Sequence, residues 1–270
     1  MELQALRDIC RQARRDIITM TAKAGCGHPG GSLSATEALV ALYFDVMHVD
    51  PKNPADPHRD RFVLSKGHAA PGLYAVLAAK GYFPREELDH FRQLHSILQG
   101  HPDAKKCPGV DASTGSLGQG ISIATGMALG AKATGQSNRV YTIIGDGECQ
   151  EGLVWEASMA AAHYRLDNLT VILDHNGLQI DGSNDDVMSL GDIDAKFRAF
   201  GYNVITVDDG NDLEQVLAAF HTAPIPGKPR LIHLHTVKGK GVSFMENQAS
   251  WHGKAPNQEQ CAAALKELEG

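Results

Sequence analysis

The stretch "RVYTIIGDGECQEG", Arg139 to Gly152, decides the fold. An apolar run climbs to Ile144 and stops on Asp146, set between Gly145 and Gly147, with Glu148 and Glu151 just beyond. A short apolar run closed by glycine reads as a buried strand. In a parallel α/β sheet the carboxyl end of a strand is where loops open a crevice, so Asp146 places a charge where ligands collect. The other half of such a crevice belongs one crossover further on. There "NLTVILDHNGLQIDG" ends a second apolar run on Asp174, His175 and Asn176. The thirty positions between Asp146 and Asn176 are about what one strand–helix–strand unit needs, so both side chains can face one crevice.

A carboxylate and an amide oxygen, with a backbone carbonyl beside them, are hard oxygen donors that suit Mg²⁺ or Ca²⁺ rather than zinc. Such an ion keeps coordination positions for phosphate oxygens, and Gly145 and Gly147 would let backbone approach a bulky anion. Taken singly, Asp146 would cap a helix beginning near Gln150 and "HNG" would be a turn. Paired at one crossover's spacing, they point to a metal–phosphate site. The common nucleotide loops are excluded. No G-x-x-x-x-G-K-[ST] occurs, and "GSLGQG" (115–120) has the wrong glycine order after a poor strand.

Outward from these two strand ends the pattern alternates. A Gly/Ala-rich helix over 118–135 is small enough for close packing on a sheet. It precedes strands at 139–145, 168–174, 202–207 and 230–237, separated by helices at 152–164, 192–200 and 211–221, with a terminal helix at 257–269. This predicts an α/β fold, a parallel sheet flanked by helices on both faces. The first third reads as helical, about 3–23, 34–47, 70–80 and 85–96. Ser34 is the expected N-cap of the second helix, with Glu37 completing a capping box. No convincing internal boundary interrupts residues 1–270, which read as one domain.

Composition narrows the function. A net charge of −7 argues against a general nucleic-acid or anionic-membrane binder. No apolar run is long enough to span a bilayer, and the amphipathic N-terminus lacks the core of a signal peptide. Five scattered cysteines without a C-x-x-C argue against a disulfide framework or structural zinc, and a reducing cytoplasm is the expected setting. Cys149 is read as a packing residue. Thirteen histidines are the compositional hint of chemistry. His28, His68, His101 and His252 lie in "GHPG", "KGHA", "GHPD" and "WHGK", each beside glycine, where an imidazole can approach a ligand and stay neutral near pH 7 without large tuning. His48, His90 and His163 are expected on the surface. His233 and His235 share a strand face and read as packed or interface residues rather than metal ligands.

Six motifs in order extend the pattern: "GHPGGSLSATEAL" (27–39), "SKGHAAPGLYA" (65–75), "GHPD" (100–103), "STGSLGQGIS" (113–122), "GDGECQEGLVWEA" (145–157) and "TVKGKGVSFMEN" (236–247). With "GDG" followed thirty positions on by Asn176, the chain resembles the transketolase family, and specifically its first, diphosphate-binding domain. The resemblance implies a thiamine-diphosphate-binding fold and the N-terminal subunit of a split transketolase. The pyrimidine-binding and C-terminal domains would then lie on a separate partner chain, with two copies of each chain in an α2β2 assembly. The activity it implies is transfer of a two-carbon ketol unit from a ketose phosphate to an aldose phosphate.

By the same resemblance, Asp146, Asn176 and the backbone carbonyl of Leu178 would ligate Mg²⁺ or Ca²⁺. Gly147 and His68 would touch the diphosphate, and Gly115, Ser116 and Leu117 would line the middle of thiamine diphosphate. His252 would reach both cofactor and sugar, while His28 and His101 would face the sugar's oxygens. The glutamate that protonates the aminopyrimidine would come from the partner. Glu151 and Glu156 would join a carboxylate network at a subunit interface. His175 departs from the family pattern, which has Asp or Asn there in many members. Two rival readings are an α-subunit of a 2-oxo acid dehydrogenase and a non-catalytic cofactor-binding subunit. Central pentose phosphates, a branched sugar phosphate and a sulfo-sugar all remain open as substrates.

Overall fold

The computed structural model describes residues 1–269. Its strands are β1 (Arg61–Leu64), β2 (Val140–Gly145), β3 (Leu169–His175), β4 (Leu178–Gln179), β5 (Gly182–Ser183), β6 (Asn203–Val207) and β7 (Arg230–His235). Five form one sheet in the order β1-β2-β3-β7-β6, parallel at every pairing, while β4 and β5 make a small hairpin after β3. The helices are α1 (Leu3–Ala24), α2 (Pro29–Ser34), α3 (Thr36–Ala41), α4 (Ala70–Lys80), α5 (Gln119–Ala133), α6 (Gly152–His163), α7 (Asn184–Met188), α8 (Ile193–Phe200), α9 (Leu213–His221) and α10 (Gln258–Glu267).

Strand alternation sorts the interior into two cores. Tyr141, Ile143, Ile172, Ile232 and Leu234 face a large core built with α1, α3, α4 and α9. Val140, Ile144, Val171, Leu173 and Leu231 face the opposite way, onto a second core with α5, α6 and α8. Every residue of β2 is buried, as expected of a parallel strand covered on both faces. On α5 the small residues let the helix sit close: a Cβ on Gly120 would lie 2.5 Å from the Ser65 backbone.

The alternating half of the chain folds as its pattern predicts, with boundaries shifted by one or two residues, except that the β4–β5 hairpin and α7 occupy a stretch where no element is expected. Three expectations for the first third need correction. Residues 61–64 form an edge strand where no strand is expected, because four residues are too few to show a period. The helix predicted over 34–47 begins early at Pro29, breaks at Ala35 and ends in a π-turn at Leu42–Val46. Its capping box does not form. Ser34 Oγ donates to Asp174 Oδ2 (2.6 Å) and Glu37 pairs with Arg14 (2.6 Å), so buried charges outcompete local caps. The helix predicted over 85–96 is only a 3₁₀ turn at Arg85–His90. Phe91 is buried and extended, and Arg92 (φ 60°) and His95 (φ 67°) turn the chain left-handed toward His101.

Candidate functional site

The carboxyl ends of β1, β2, β3 and β7 open on one side of the sheet. β2 and β3 pair in parallel with Gly145 opposite Asp174, which sets Asp146 and Asn176 beside each other. They line one cavity of about 230 Å³ together with His28, His68, Gly115, Leu117, Gly147, Leu178 and His252. His101 and Ser116 stand at its rim: the His101 ring lies 6.3 Å from that of His28 and packs on Gly115, and Ser116 is exposed in the same loop as Leu117.

Asp146 is almost wholly buried, 3 % exposed. Its Oδ1 accepts from the Gly147 amide (2.8 Å) and its Oδ2 from the Gly177 amide (2.5 Å). Asp146 therefore caps a 3₁₀ turn over Gly147–Gln150 and also grips the β3 loop, so the local cap and the crossover pairing coexist. Burial, followed by the nearby charge of Asp174, pushes the Asp146 carboxyl above its ordinary range. A bound cation would reverse that penalty. A Cβ on Gly147 would lie 3.2 Å from Gln179 Cβ, so glycine is needed for the close approach there; Gly145 has ordinary room.

Two lysines that lie within the motifs, but to which the motifs assign no role, dominate the electrostatics. Lys66, 1 % exposed, donates to the Gly31 carbonyl (3.0 Å) and is paired with Asp174. Burial acts to raise the Asp174 carboxyl, but Lys66 and the Ser34 and Thr236 hydroxyls outweigh it, and the group sits below its ordinary range. Lys238, 2 % exposed, donates to the Leu178 carbonyl (3.0 Å) and lies 2.9 Å from His252 Nδ1. It has no carboxylate partner within salt-bridge range among the described residues. Burial, then the charge of Lys66, lowers its ammonium to about 8. A buried cation without a counter-charge is costly unless an anion arrives.

The imidazoles crowd around these lysines. The His28 and His68 rings are 5.4 Å apart, and His252 lies 4.9 Å from His68 and 5.5 Å from His28. Burial, then Arg92, lowers His28 to about 4; burial, then Lys238, lowers His252 to about 3; and burial, then Lys66, holds His68 well below its ordinary value. His101 is lowered by burial and Arg92. All four are neutral at pH 7 as expected, but through strong tuning, which the loop sequences do not show. Arg92, in left-handed backbone with a buried, unpartnered Nε, carries no local signal either.

The donor set fits a divalent cation with a diphosphate. Asp146, Asn176 and the Leu178 carbonyl offer oxygens, and the second lone pair of that carbonyl is not used by Lys238. The side chains of Gln179 and Asn184 lie beside Gly147, and their buried amide nitrogens, with Asn184 Oδ1, have no partner among the described residues. Glu148 is buried and accepts from Ser65 Oγ (2.5 Å), the Gly118 amide (2.8 Å) and the Gly145 amide (3.0 Å), so it fastens the 115–118 loop to the end of β2. Glu151 and Glu156 are exposed, and Cys149 is buried.

The sequence profile described as "Transketolase, thiamine diphosphate binding domain" matches residues 6–270. The chain belongs to that family. It is 49% identical over 247 residues to a 6-deoxy-6-sulfo-D-fructose transketolase subunit, SqwG, of Clostridium sp. strain MSTE9, covering 92% of this chain and 90% of the relative. It is 42% identical to an apulose-4-phosphate transketolase subunit of Phocaeicola vulgatus, covering 99% and 95%. Human transketolase is 44% identical over 94% of this chain, which spans only 40% of that relative's length. Among solved structures, a transketolase mutant of Pichia stipitis superposes with a TM-score of 0.93 at 32% identity, over 98% of this chain and 40% of that one. The Campylobacter jejuni transketolase also gives 0.93, at 34% identity, over 99% and 43%. These matches favour the transketolase reading over a 2-oxo acid dehydrogenase α-subunit. No helix among the described residues is long and apolar enough to cross a membrane.

Proposed function

We propose that this chain is the diphosphate-binding subunit of a heteromeric transketolase, a single domain that acts with a second chain bearing the pyrimidine-binding and C-terminal domains. The observation that carries the reading is Lys238. A buried ammonium with no carboxylate in salt-bridge range among the described residues, bonded to the carbonyl of Leu178 in the cavity lined by Asp146 and Asn176, supports reading the crevice as a receptor for a metal-bound diphosphate. The relatives of matching length are each named as one subunit of a transketolase, which supports a partner chain. Two copies of each chain, in the cytoplasm, is the assembly we propose.

In this reading Asp146, Asn176 and the Leu178 carbonyl hold Mg²⁺ or Ca²⁺, and Gly147 and His68 meet the diphosphate. Gly115, Ser116 and Leu117 line the middle of the cofactor. When bound, thiamine diphosphate supplies the electron sink for breaking and making the carbon–carbon bond. His28, His101 and His252 orient the sugar's oxygens and exchange protons with its hydroxyls. Held neutral, each imidazole can donate from one nitrogen and accept at the other. Lys238 fixes the His252 ring by its Nδ1, which leaves Nε2 for the ligand. Four neutral imidazoles suit a polyol. The substrate we propose is a ketose with a terminal anion, phosphate or sulfonate, the feature common to the names of the sulfofructose and apulose-phosphate relatives.

The test is reconstitution with the partner subunit. Ketol transfer should appear only in the mixture, and Asp146→Ala should abolish metal-dependent cofactor binding in it. Full turnover by this chain alone would overturn the two-chain reading. Unchanged cofactor affinity in the Asp146→Ala mixture would remove the site assignment.

A further inference from the structure

The departure at His175 has company on the sheet. His233 and His235 are two residues apart on β7 and so share a face, and the β3–β7 register sets His175 opposite His235. That face is the one bearing Leu173 and Leu231, under α8. The neighbouring Asp174 points the other way, to Lys66 and Ser34. The three rings stack with centroids 4.4 to 5.5 Å apart, and one nitrogen from each lies within 4.8 Å of the others.

The buried member is held in one tautomer. His233 Nδ1 lies 2.7 Å from Asp194 Oδ1 on α8, and Asp194 is itself fixed by Thr206 Oγ1 (2.6 Å) and Arg198 (3.2 Å). The carboxylate keeps the proton on Nδ1, so the lone pair of Nε2 faces the other two rings, 2.7 Å from His175 Nδ1. A carboxylate behind a histidine is the arrangement that orients metal-binding imidazoles. His175 is half-buried and His235 exposed, so an ion has a way in from solvent. All three residues stand on hydrogen-bonded strands, which limits how far the cluster can spread.

We propose that His175, His233 and His235 form a transition-metal site, with a fourth position open to water. Three imidazoles suit Zn²⁺, Ni²⁺, Cu²⁺ or Co²⁺, and they discriminate against Mg²⁺ and Ca²⁺, which prefer oxygen. Zn–N bonds of about 2.0–2.1 Å set tetrahedral donors about 3.4 Å apart. His175 and His233 open slightly to reach that spacing, and the exposed His235 swings in. The site differs from the Asp146–Asn176 pair in donor type, nitrogen in place of oxygen. It gives His233 and His235 a role beyond packing.

The test uses the tag-free full-length chain, stripped with chelator and returned to millimolar Mg²⁺. Zn²⁺, followed by competition with a chromophoric chelator, should bind at one equivalent. Co²⁺ should give visible d–d bands without the near-ultraviolet charge transfer of a thiolate. His235→Gln, a change at an exposed position, should weaken Zn²⁺ by more than the roughly tenfold to hundredfold that loss of an outer-shell partner costs, while the melting temperature without metal stays unchanged. His233→Gln should do the same if it folds. No stoichiometric Zn²⁺ binding, equal affinity in His235→Gln, or a cobalt–thiolate band would overturn the proposal. Because the readout is ion binding by this chain alone, its failure would leave the transketolase reading untouched.

Discussion

Replacing Lys238 by methionine should stabilise the chain while weakening its grip on the cofactor, and both effects follow from one number. Burial and Lys66 bring the Lys238 ammonium from 10.5 to about 8. At about 1.4 kcal/mol per pH unit, holding that charge in the folded crevice at pH 7 costs roughly 3 kcal/mol. Methionine removes the charge and also the bonds to the Leu178 carbonyl and His252 Nδ1, worth about 1 kcal/mol each. The net gain is about 1 kcal/mol, a rise of roughly 2–4 °C in melting temperature for a chain of this size. The sign with pH is fixed by linkage. The unfolded chain keeps the proton up to 10.5 and the folded one releases it near 8, so wild-type stability climbs across that window while the variant's does not. Near pH 8.7 the wild type has recovered about 1 kcal/mol and the advantage is gone; by about pH 9.5 it has recovered roughly 2 kcal/mol and the order is reversed. Diphosphate affinity in the reconstituted complex should fall about tenfold to a hundredfold, as expected for a lost charge-assisted contact. Calorimetric melts at several pH values and cofactor titration measure the two arms. A variant that melts well below wild type at pH 7, or that binds cofactor as tightly, would refute the reasoning.

Asp174→Asn should destabilise the chain by about 3–5 kcal/mol in chemical denaturation, because it leaves the buried Lys66 ammonium without its counter-charge. The folded Asp174 carboxyl lies below its ordinary value, so the wild-type advantage should shrink as pH falls through that lowered value, and an undiminished gap in acid would count against the pairing. On α5, Gly120→Ala should cost about 1–3 kcal/mol or more by driving a methyl into the Ser65 backbone. Gly126→Ala on the same helix meets nothing within 4 Å and should stabilise the isolated chain by about 0.5–1 kcal/mol; equal effects at the two glycines would show that contact with the end of β1 does not set the cost.

The main strands and helices after residue 118 are legible because each announces itself twice, by its period and by the glycine or polar residues that end it; β4, β5 and α7 are too short to show a period. The strand at 61–64 and the early start of α2 are not legible either, and the reason is the same for both. Their conformations are set by long-range partners: Arg61 pairs with Val140 in the sheet, and Ser34 reaches Asp174 across 140 positions. Local rules favour a capping box at Ser34 and Glu37, but Ser34 donates to the buried Asp174 carboxylate and Glu37 pairs with Arg14 instead. Sequence offers no way to weigh a cap of about 1 kcal/mol against a buried charge left unpaired.

The candidate site divides along a similar line. Residues whose proposed role follows from chemical type, such as Asp146 and Asn176 or the glycine-flanked His28, His68 and His252, can be picked out from spacing, and the fold brings them to one cavity. Residues whose role follows from what surrounds them cannot. Lys66 and Lys238 occur inside the family motifs, yet nothing in "SKGHA" or "TVKGKG" tells that one ammonium is matched by Asp174 while the other has no carboxylate in salt-bridge range among the described residues. His175 makes the point in the opposite sense. Alternation alone puts it on the face away from Asp174, and the shared face of His233 and His235 is legible, but their meeting needs β3 and β7 to be neighbours. That adjacency arises because the chain skips one place in the sheet to lay down β6 and then returns to fill it with β7. Strand order, more than any motif, decides whether three histidines are scattered residues or a ligand set.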